Sequence, residues 1–275
     1  MEENTTFYLR NKDLLAEIHK SKNSYSEFVS PDDSQYDLIV YPEDFLLPET
    51  VQHGLEYLKQ QCLSEVSLLQ ARENKCSRLN AASKGMPKSK KLTVDDIPEE
   101  GLVFRVLSYH YIPDDEEGRK KTPKTIGDTK YKLNFIPFVH FKYTNGEIIE
   151  VGRSHYKNGE FNPNGGNISN KLADMFMLLV EKYSQRPNWR GYTYVNEMKG
   201  QALLHLVYMG LKFNEHKSDN PFTYYTQTIS NSFTRVLNEE KMHQDIRDDL
   251  LEESGQNPSL TRQLQNEDSY KKHDI

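Results

Sequence analysis

The spacing of apolar residues changes along the chain and predicts a series of different elements. Residues 7–22 place Leu14 and Ile18 on one side and charged residues on the other, which predicts a short helix. A strand is predicted over 36–41. A second helix is predicted over 48–79, because apolar residues recur there at three- and four-residue steps: Val51, Leu55, Leu58, Cys62, Val66 and Leu69.

Between the basic run 83–91 and the next helices, the apolar spacing shortens to two residues. Residues 102–111 and 133–143 are apolar and aromatic, as is typical of strands. Asn145-Gly146 is a strong hairpin signal, and the returning strand is predicted over 147–151. We therefore predict a small antiparallel β module at roughly 95–165.

From Asn170 onward the spacing is helical again. Two apolar stripes predict two helices, the first made of Leu172, Met175, Phe176, Leu179, Val180 and Tyr183, and the second of Val195, Met198, Ala202, Leu206, Met209 and Phe213. Asn220-Pro221 then opens a third helix, with Asn220 as the N-cap and Pro221 in the first turn. Beyond Ser254 we expect a polar, mobile tail.

The third predicted helix, 222–241, has two distinct faces. Its inward stripe consists of Phe222, Tyr225, Ile229, Phe233 and Val236. Its opposite stripe consists of Tyr224, Gln227, Thr228, Asn231, Arg235 and Asn238. Amides and Arg hydrogen-bond base edges or phosphates, and Tyr stacks on an unpaired base, so this stripe suits melted DNA. An ordinary solvated helix face is the alternative.

The second of these helices carries a polar stripe of its own. Glu197, Gln201, His205 and Tyr208 follow one another at steps of four, four and three residues. Such a stripe suits an interface with a pair of helices, and a solvated surface is again the alternative.

Composition limits the function classes. Hydrophobic residues make up 36% and charged residues 28% of 275 residues, and 17 Tyr with 12 Phe supply enough apolar surface for a folded core. With a net charge of −6, the chain does not bind DNA by charge alone, so a larger basic partner is expected. Cys62 and Cys76 are expected to be free thiols and fit no metal site. Neither a signal peptide nor a membrane span is predicted.

The segment from Asn188 to Lys241 resembles region 2 of the late-transcription sigma factors of T4-like bacteriophages, a compact branch of the sigma-70 superfamily. The most specific match is Leu211-Lys212-Phe213-Asn214-Glu215-His216-Lys217-Ser218-Asp219-Asn220-Pro221-Phe222-Thr223-Tyr224-Tyr225-Thr226-Gln227. The stretch 11–15 is similar to the helix that opens these proteins. Together the resemblance covers roughly residues 5–25 and 168–262.

This resemblance implies a non-enzymatic sigma factor without a cofactor, which directs host RNA polymerase to phage late promoters by recognising and melting a minus-ten element. It assigns the promoter contacts to Phe222, Tyr224, Tyr225, Gln227, Asn231 and Arg235, and the polar stripe of the third helix adds Thr228 and Asn238. It assigns contacts with the clamp coiled coil of the polymerase largest subunit to Glu197, Gln201 and His205, and the polar stripe of the second helix adds Tyr208. The implied location is the cytoplasm of the infected bacterium.

The implied fold is α+β, a helical region-2 bundle with an inserted helix and a small antiparallel β module. The predicted parts are a joining helix at 1–25, the insert at 26–165, the helical domain at 166–250 and a polar tail at 251–275. No helix-turn-helix follows Lys241, so minus-35 reading is expected to be absent or left to a partner. The resemblance also implies a phage sliding clamp and a late co-activator as further candidate partners, although residues 265–270 are only faintly similar to the family's sliding-clamp motif.

Two other function classes stay open at this stage. A co-activator or anti-sigma protein would occupy the polymerase without reading a promoter. A metal-dependent nuclease would draw on polar residues of the β module, although their spacing matches no familiar ligand pair: His110, Asp128, His140, His155, Asn158 and Asn164. Gly165-Gly166 lacks the lysine of a phosphate-binding loop, and no Ser or Cys nucleophile motif is present.

Overall fold

The computed structural model describes residues 9–40, 101–113, 129–145 and 147–273. The predicted helix at 48–79 and the basic run at 83–91 lie outside these ranges. The chain forms two compact units: Met1–Ala173 with Tyr208–Pro221, and Asp174–Val207 with Phe222–Ile275. Within the described ranges, no helix has both the length and the apolar character needed to cross a bilayer.

The first unit combines one helix with a five-stranded sheet. Helix α1 spans Asn11–Ser24 and buries Leu14 and Ile18 as predicted. The strands are β1 (Ser26–Phe28), β2 (Leu38–Val40), β3 (Val103–Leu107), β4 (Phe138–Thr144) and β5 (Glu147–Ser154). Their order in the sheet is β1-β5-β4-β3-β2. A separate small hairpin pairs β6 (Tyr156–Lys157) with β7 (Glu160–Phe161).

The predicted hairpin around Asn145 is confirmed. Strands β4 and β5 are antiparallel, and Thr144 lies opposite Glu147. The backbone of Asn145 has a positive φ of 53°. A two-residue hairpin turn requires this left-handed conformation, and Asn tolerates it better than most residues. The local turn signal therefore sets the register next to the turn, and an irregularity between His140 and Phe141 shifts it further along the pair.

The sheet contains the predicted antiparallel strands of the module at 95–165, and it also includes two strands from outside that range. Strands β1 and β2 come from residues 26–40, and β2 runs parallel to β3, with Leu38 opposite Phe104. Parallel strands are joined by a long crossover and not by a tight turn, so no turn motif in the sequence predicts the pairing of β2 with β3. The coarser assignment to the α+β class is confirmed by this sheet and the helices that follow.

A network of buried charged and polar side chains lies inside the first unit. The Arg105 guanidinium carbon is 3.9 Å from the ring centroids of both Tyr36 and Phe138. Its Nε donates to Nε2 of His140 at 2.9 Å. The other ring nitrogen, Nδ1, therefore carries the proton and donates it to the Asp33 carbonyl at 2.7 Å. Burial and the nearby guanidinium lower the pKa of His140 to about 2, which keeps this imidazole neutral.

A second buried interaction in this unit joins α1 to the segment 213–219. The Lys22 ammonium donates to both carboxylate oxygens of Glu215 (2.7 and 2.8 Å) and to the Phe213 carbonyl (2.8 Å). Burial alone would raise the pKa of Glu215, but the charges of Lys22, His19 and Arg105 lower it overall. The carboxylate therefore stays ionised and fixes the segment to α1.

The second unit is helical in its described part. Helix α2 spans Asn170–Ser184, of which the first residues belong to the first unit, and α3 spans Val195–Met209. A short 3₁₀ turn, Gly210–Lys212, follows α3. Helix α4 begins at Pro221, as predicted, but continues to Glu253, well past the predicted end at Lys241.

Helix α5, Leu260–His273, occupies the segment 251–275 that was predicted to be a polar tail. Its first residues are tied to α4 by polar contacts. The Asp248 carboxylate accepts from the backbone N–H and the hydroxyl of Ser259 (2.8 and 2.6 Å), and Arg262 pairs with Asp249 (2.6 Å). Because these contacts are polar, apolar periodicity did not reveal the helix.

Candidate functional site

The inward face of α4 consists of buried rings and aliphatic side chains. Tyr225, Ile229, Phe233 and Val236 are all buried, as the helical spacing predicted. Tyr225 has no exposed surface, so its ring is not accessible for the promoter contact that the resemblance implied. The Tyr225 ring meets Phe176 of α2 edge to face at a centroid distance of 4.9 Å. Phe233 meets Tyr183 in the same geometry at 5.3 Å. Since edge-to-face ring pairs have a preferred geometry, they set the orientation of α4 about its own axis.

Phe222 departs from the prediction that it belongs to the inward stripe. It lies in the first turn of α4, next to the helix start, and 39% of its surface is exposed. The ring pairs with α2 involve Tyr225 and Phe233, one and three helical turns further along. Packing thus fixes the stripe from Tyr225 onward and leaves Phe222 partly accessible.

The opposite face of α4 is polar and open. Gln227, Asn231, Arg235 and Asn238 are exposed. A shallow, open depression of about 490 Å³, which we call the α4 groove, lies along this face and is lined by residues of this one helix: Asn231, Thr234, Arg235, Asn238, Glu239 and Met242. The predicted helix and its polar stripe are therefore present, while contact of this stripe with DNA stays a prediction.

Tyr224 and Thr228 are half-buried members of that stripe. The Thr228 hydroxyl donates to the Tyr224 carbonyl at 3.0 Å, a bond to the preceding turn of the same helix. Burial raises the pKa of Tyr224 above its usual range, so the phenol is a neutral donor or acceptor. Thr228 is therefore a weaker candidate for DNA contact than its exposed neighbours.

The exposed polar groups of α4 bond to one another. Gln227 Nε2 donates to Asn231 Oδ1 (2.8 Å), and Arg235 Nε donates to Glu239 Oε1 (2.9 Å). Exposed pairs of this kind contribute about 0–1 kcal/mol to stability. A ligand that offers phosphate or base acceptors can replace them at little cost.

The structure places the predicted polymerase contacts along α3. Glu197 is exposed, Gln201 and His205 are half-buried, and all three belong to the second unit. Tyr208 is 69% exposed at the end of the helix and is grouped with the first unit. The prediction of the second apolar stripe is confirmed only in part. Met198, Ala202 and Leu206 are buried, but Met209 is exposed and Phe213 lies beyond the end of the helix.

Sequence reasoning missed the apolar part of this surface. Leu204 and Val207 are 52% and 56% exposed on α3. Gly200, one turn before Leu204, is also exposed, and a Cβ added there would meet nothing within 4 Å. The α3 face, defined as Glu197, Gly200, Gln201, Leu204 and Val207, therefore combines apolar side chains with a gap that lets a partner backbone approach. The sequence did contain a signal for this surface, because apolar residues occur on all sides of α3 and one buried face cannot enclose them all.

Two of the histidines considered for a nuclease site are buried core residues. His140 and His155 are fully buried, and His110 is exposed. His155 lies against the Phe135 ring at 4.3 Å, and burial with the nearby Lys22 charge lowers its pKa to about 4. Asp128 lies outside the described residues. Among those described, no three His, Cys, Asp or Glu side chains are grouped to hold a metal ion.

Gly166 has a packing explanation. A Cβ added there would lie 2.5 Å from the ring of Tyr25, so the glycine permits a close approach of backbone and ring.

Comparison with protein-family models, curated proteins and solved structures finds no match for this chain. A functional assignment therefore rests on the residues that carry the resemblance and on the geometry of α3 and α4.

Proposed function

We propose that this protein is a sigma factor, which binds bacterial core RNA polymerase through α3 and contacts the melted minus-ten element of phage late promoters through α4. The observation that carries the proposal is the two-sided construction of α4. Its rings are fixed inward against α2, and its amides and guanidinium are exposed along an open groove. The resemblance of the segment that precedes and begins α4 supports the same role.

The chemistry of the exposed α4 face suits separated DNA strands. Asn231 and Asn238 offer both donors and acceptors to base edges, and Arg235 offers a guanidinium to phosphate or guanine. Tyr224 contributes part of a ring, and stacking on a base is worth about 1–3 kcal/mol. Because the chain is acidic, with a net charge of −6, polymerase would supply most of the non-specific DNA affinity.

The α3 face suits a helical partner. Gly200 allows close approach of a backbone, while Leu204 and Val207 supply apolar area that is buried on contact. Glu197 and Gln201 add polar contacts at the edge, where they favour the correct register over raw affinity. These features support docking on the paired helices of the polymerase clamp.

Transcription with purified components tests the proposal. Core polymerase with this protein should initiate at an A/T-rich late promoter. The double variant Asn231→Ala, Arg235→Ala should lower open-complex formation at least about tenfold, because each lost base contact is worth roughly 1–3 kcal/mol. Binding to core polymerase should be unchanged. Arg247→Ala is the matched control, since Arg247 is exposed on the same helix but outside the groove.

Core binding forms the second arm of the same experiment. Leu204→Glu should weaken the complex with core polymerase at least about tenfold, since it places a charge in an apolar contact. Met177→Glu is the control, because Met177 of α2 is 51% exposed and Leu204 is 52% exposed. Core binding without promoter opening would favour a co-activator or anti-sigma protein, and absence of core binding would overturn the proposal.

A further inference from the structure

The loop between α2 and α3 is rich in aromatic residues and arginine. Residues 185–194 read Gln-Arg-Pro-Asn-Trp-Arg-Gly-Tyr-Thr-Tyr, with two arginines and no acidic residue. The whole chain has a net charge of −6, so this stretch is a local exception to its acidity. A positive stretch on an acidic protein concentrates positive potential where a polyanion would bind.

The three large rings of this loop form a row. The Trp189 and Tyr192 centroids are 6.2 Å apart, and those of Tyr192 and Tyr194 are 5.2 Å apart, with interplanar angles of 40° and 39°. All three rings are half-exposed. Trp189 is anchored by an edge-to-face contact with buried Phe233, 5.4 Å between centroids. The row is therefore fixed at Trp189, and all three rings keep part of their surface accessible.

Backbone hydrogen bonds hold the loop in one shape. The N–H of Trp189 donates to the Arg186 carbonyl (3.0 Å), that of Tyr192 to the Trp189 carbonyl (3.2 Å), and that of Met198 in α3 to the Tyr194 carbonyl (3.1 Å). Because these turns are already formed, a ligand that binds the row loses little free energy in ordering it. Gly191 lies between the rings, and a Cβ added there would meet nothing within 4 Å, so the backbone is open to a close approach.

The charged groups around the row favour an anionic ligand. Arg190 is exposed, and so is Arg186, whose guanidinium carbon is 4.3 Å from the Tyr183 centroid. A guanidinium that stacks on a ring keeps its edge available to acceptors. Glu181, which precedes the loop, pairs with Lys199 (2.8 Å), and the charge of Glu240 acts on Tyr194. Neither acid forms an ion pair with Arg186 or Arg190 within the described part of the chain.

We infer that the loop 185–194 binds a single-stranded polynucleotide, with bases stacked on Tyr192 and Tyr194 and phosphates held by Arg186 and Arg190. Aromatic rows with interspersed cations bind single strands because every unpaired base offers a flat face, whereas a duplex hides its base faces. The site shares no residue with the lining of the α4 groove and requires no polymerase, so it extends the proposed function and does not depend on it.

Binding of fluorescein-labelled oligonucleotides to the full chain at low salt tests this inference without polymerase. The probes are oligo(dT), oligo(rU) and a DNA duplex of equal length. Both single strands should bind more tightly than the duplex, and the tighter of the two identifies DNA or RNA as the source. The double variant Asn231→Ala, Arg235→Ala should keep most of this binding, which separates the loop from the α4 groove.

The loop variants and their controls decide the outcome. Tyr192→Ala should weaken binding about fivefold or more, and Tyr192→Phe should retain it, because stacking needs the ring and not the hydroxyl. Arg190→Ala should reduce the slope of log affinity against log salt by about 0.7, the value for one phosphate of a single strand. Tyr131→Ala and Arg247→Ala are matched controls from outside the loop and should change neither quantity.

Three results would overturn the inference: binding of no probe, equal binding of duplex and single strand, or unchanged binding in the Tyr192→Ala and Arg190→Ala variants. Arg190→Glu keeps the test decisive if Tyr192→Ala does not fold, because an exposed charge reversal leaves the core intact. If the protein binds oligonucleotides through the loop but does not support transcription with core polymerase, the result counts against the proposed function alone. If it supports transcription but does not bind oligonucleotides through the loop, the result counts against the loop inference alone.

Discussion

The two compact units differ in the groups that they enclose. The first unit encloses charged groups, since Lys22 and Arg105 are buried together with His140 and His155. In the second unit the ion pairs lie at the surface, and so do apolar residues such as Leu204. Buried polar networks fix a single arrangement, whereas exposed apolar and weakly paired polar groups are available to a partner. The contrast agrees with the proposed function, in which the second unit carries out recognition and the first serves as its scaffold.

Glu215→Ala should have the largest effect on stability. It leaves the Lys22 ammonium buried without a carboxylate, and breaking a buried pair in this way costs about 3–5 kcal/mol. Urea unfolding followed by circular dichroism measures the loss. Glu215→Gln should recover part of it, because the amide oxygen still accepts from Lys22. A decrease in the free energy of unfolding of less than about 1 kcal/mol would show that the buried Lys22–Glu215 pair does not hold the first unit rigid.

Acidification should destabilise the first unit through its buried histidines. His155 has a folded pKa of about 4 against 6.5 in the unfolded chain, so below pH 6.5 the unfolded state takes up a proton that the folded state does not. The free energy of unfolding therefore carries the full contribution of neutral His155 above pH 6.5. It decreases by about 3 kcal/mol on account of this residue as the pH falls toward 4.

A matched variant isolates that contribution. The backbone of His155 is left-handed, with a φ of 54°. Asn accepts this conformation but takes up no proton. Between pH 6.5 and 4 the free energy of unfolding of His155→Asn should therefore fall less steeply than that of the wild type, by up to about 1.4 kcal/mol per pH unit. Equal slopes for the two proteins would refute a proton-linked role of His155.

Glu239→Gln should have the smallest effect on stability and a visible effect on DNA. The exposed pair of Glu239 with Arg235 contributes at most about 0.5 kcal/mol, as i,i+4 pairs do. Removal of its negative charge frees the guanidinium, so promoter opening in the reconstituted system should improve at low salt and converge with the wild type at high salt. Weaker opening would indicate that Glu239 itself contributes to recognition.

Local periodicity predicted much of the second unit. The start of α4 at Pro221 and the burial of Tyr225, Ile229 and Phe233 follow from helical spacing over a few turns. The hairpin at Asn145 follows from turn chemistry in the same way. Each of these features depends on residues that are near one another in the sequence.

The features that escaped prediction depend on distant residues or on identical residue types in different environments. The parallel pairing of β2 with β3 joins strands separated by a long segment, and the Lys22–Glu215 pair joins residues 193 apart in the chain. Leu204 is exposed and Leu206 is buried on the same helix, although their side chains are chemically alike. For α3, only the three-dimensional packing distinguishes a core leucine from a surface leucine.

The first unit is assembled from two separate stretches, Met1–Ala173 and Tyr208–Pro221. During synthesis, the carboxylate that neutralises Lys22 leaves the ribosome only after α2 and α3 have already emerged. The Lys22 ammonium stays hydrated until then, because its burial without the Glu215 carboxylate is unfavourable. Completion of the N-terminal scaffold is therefore a late event, delayed until the chain has been translated past Glu215.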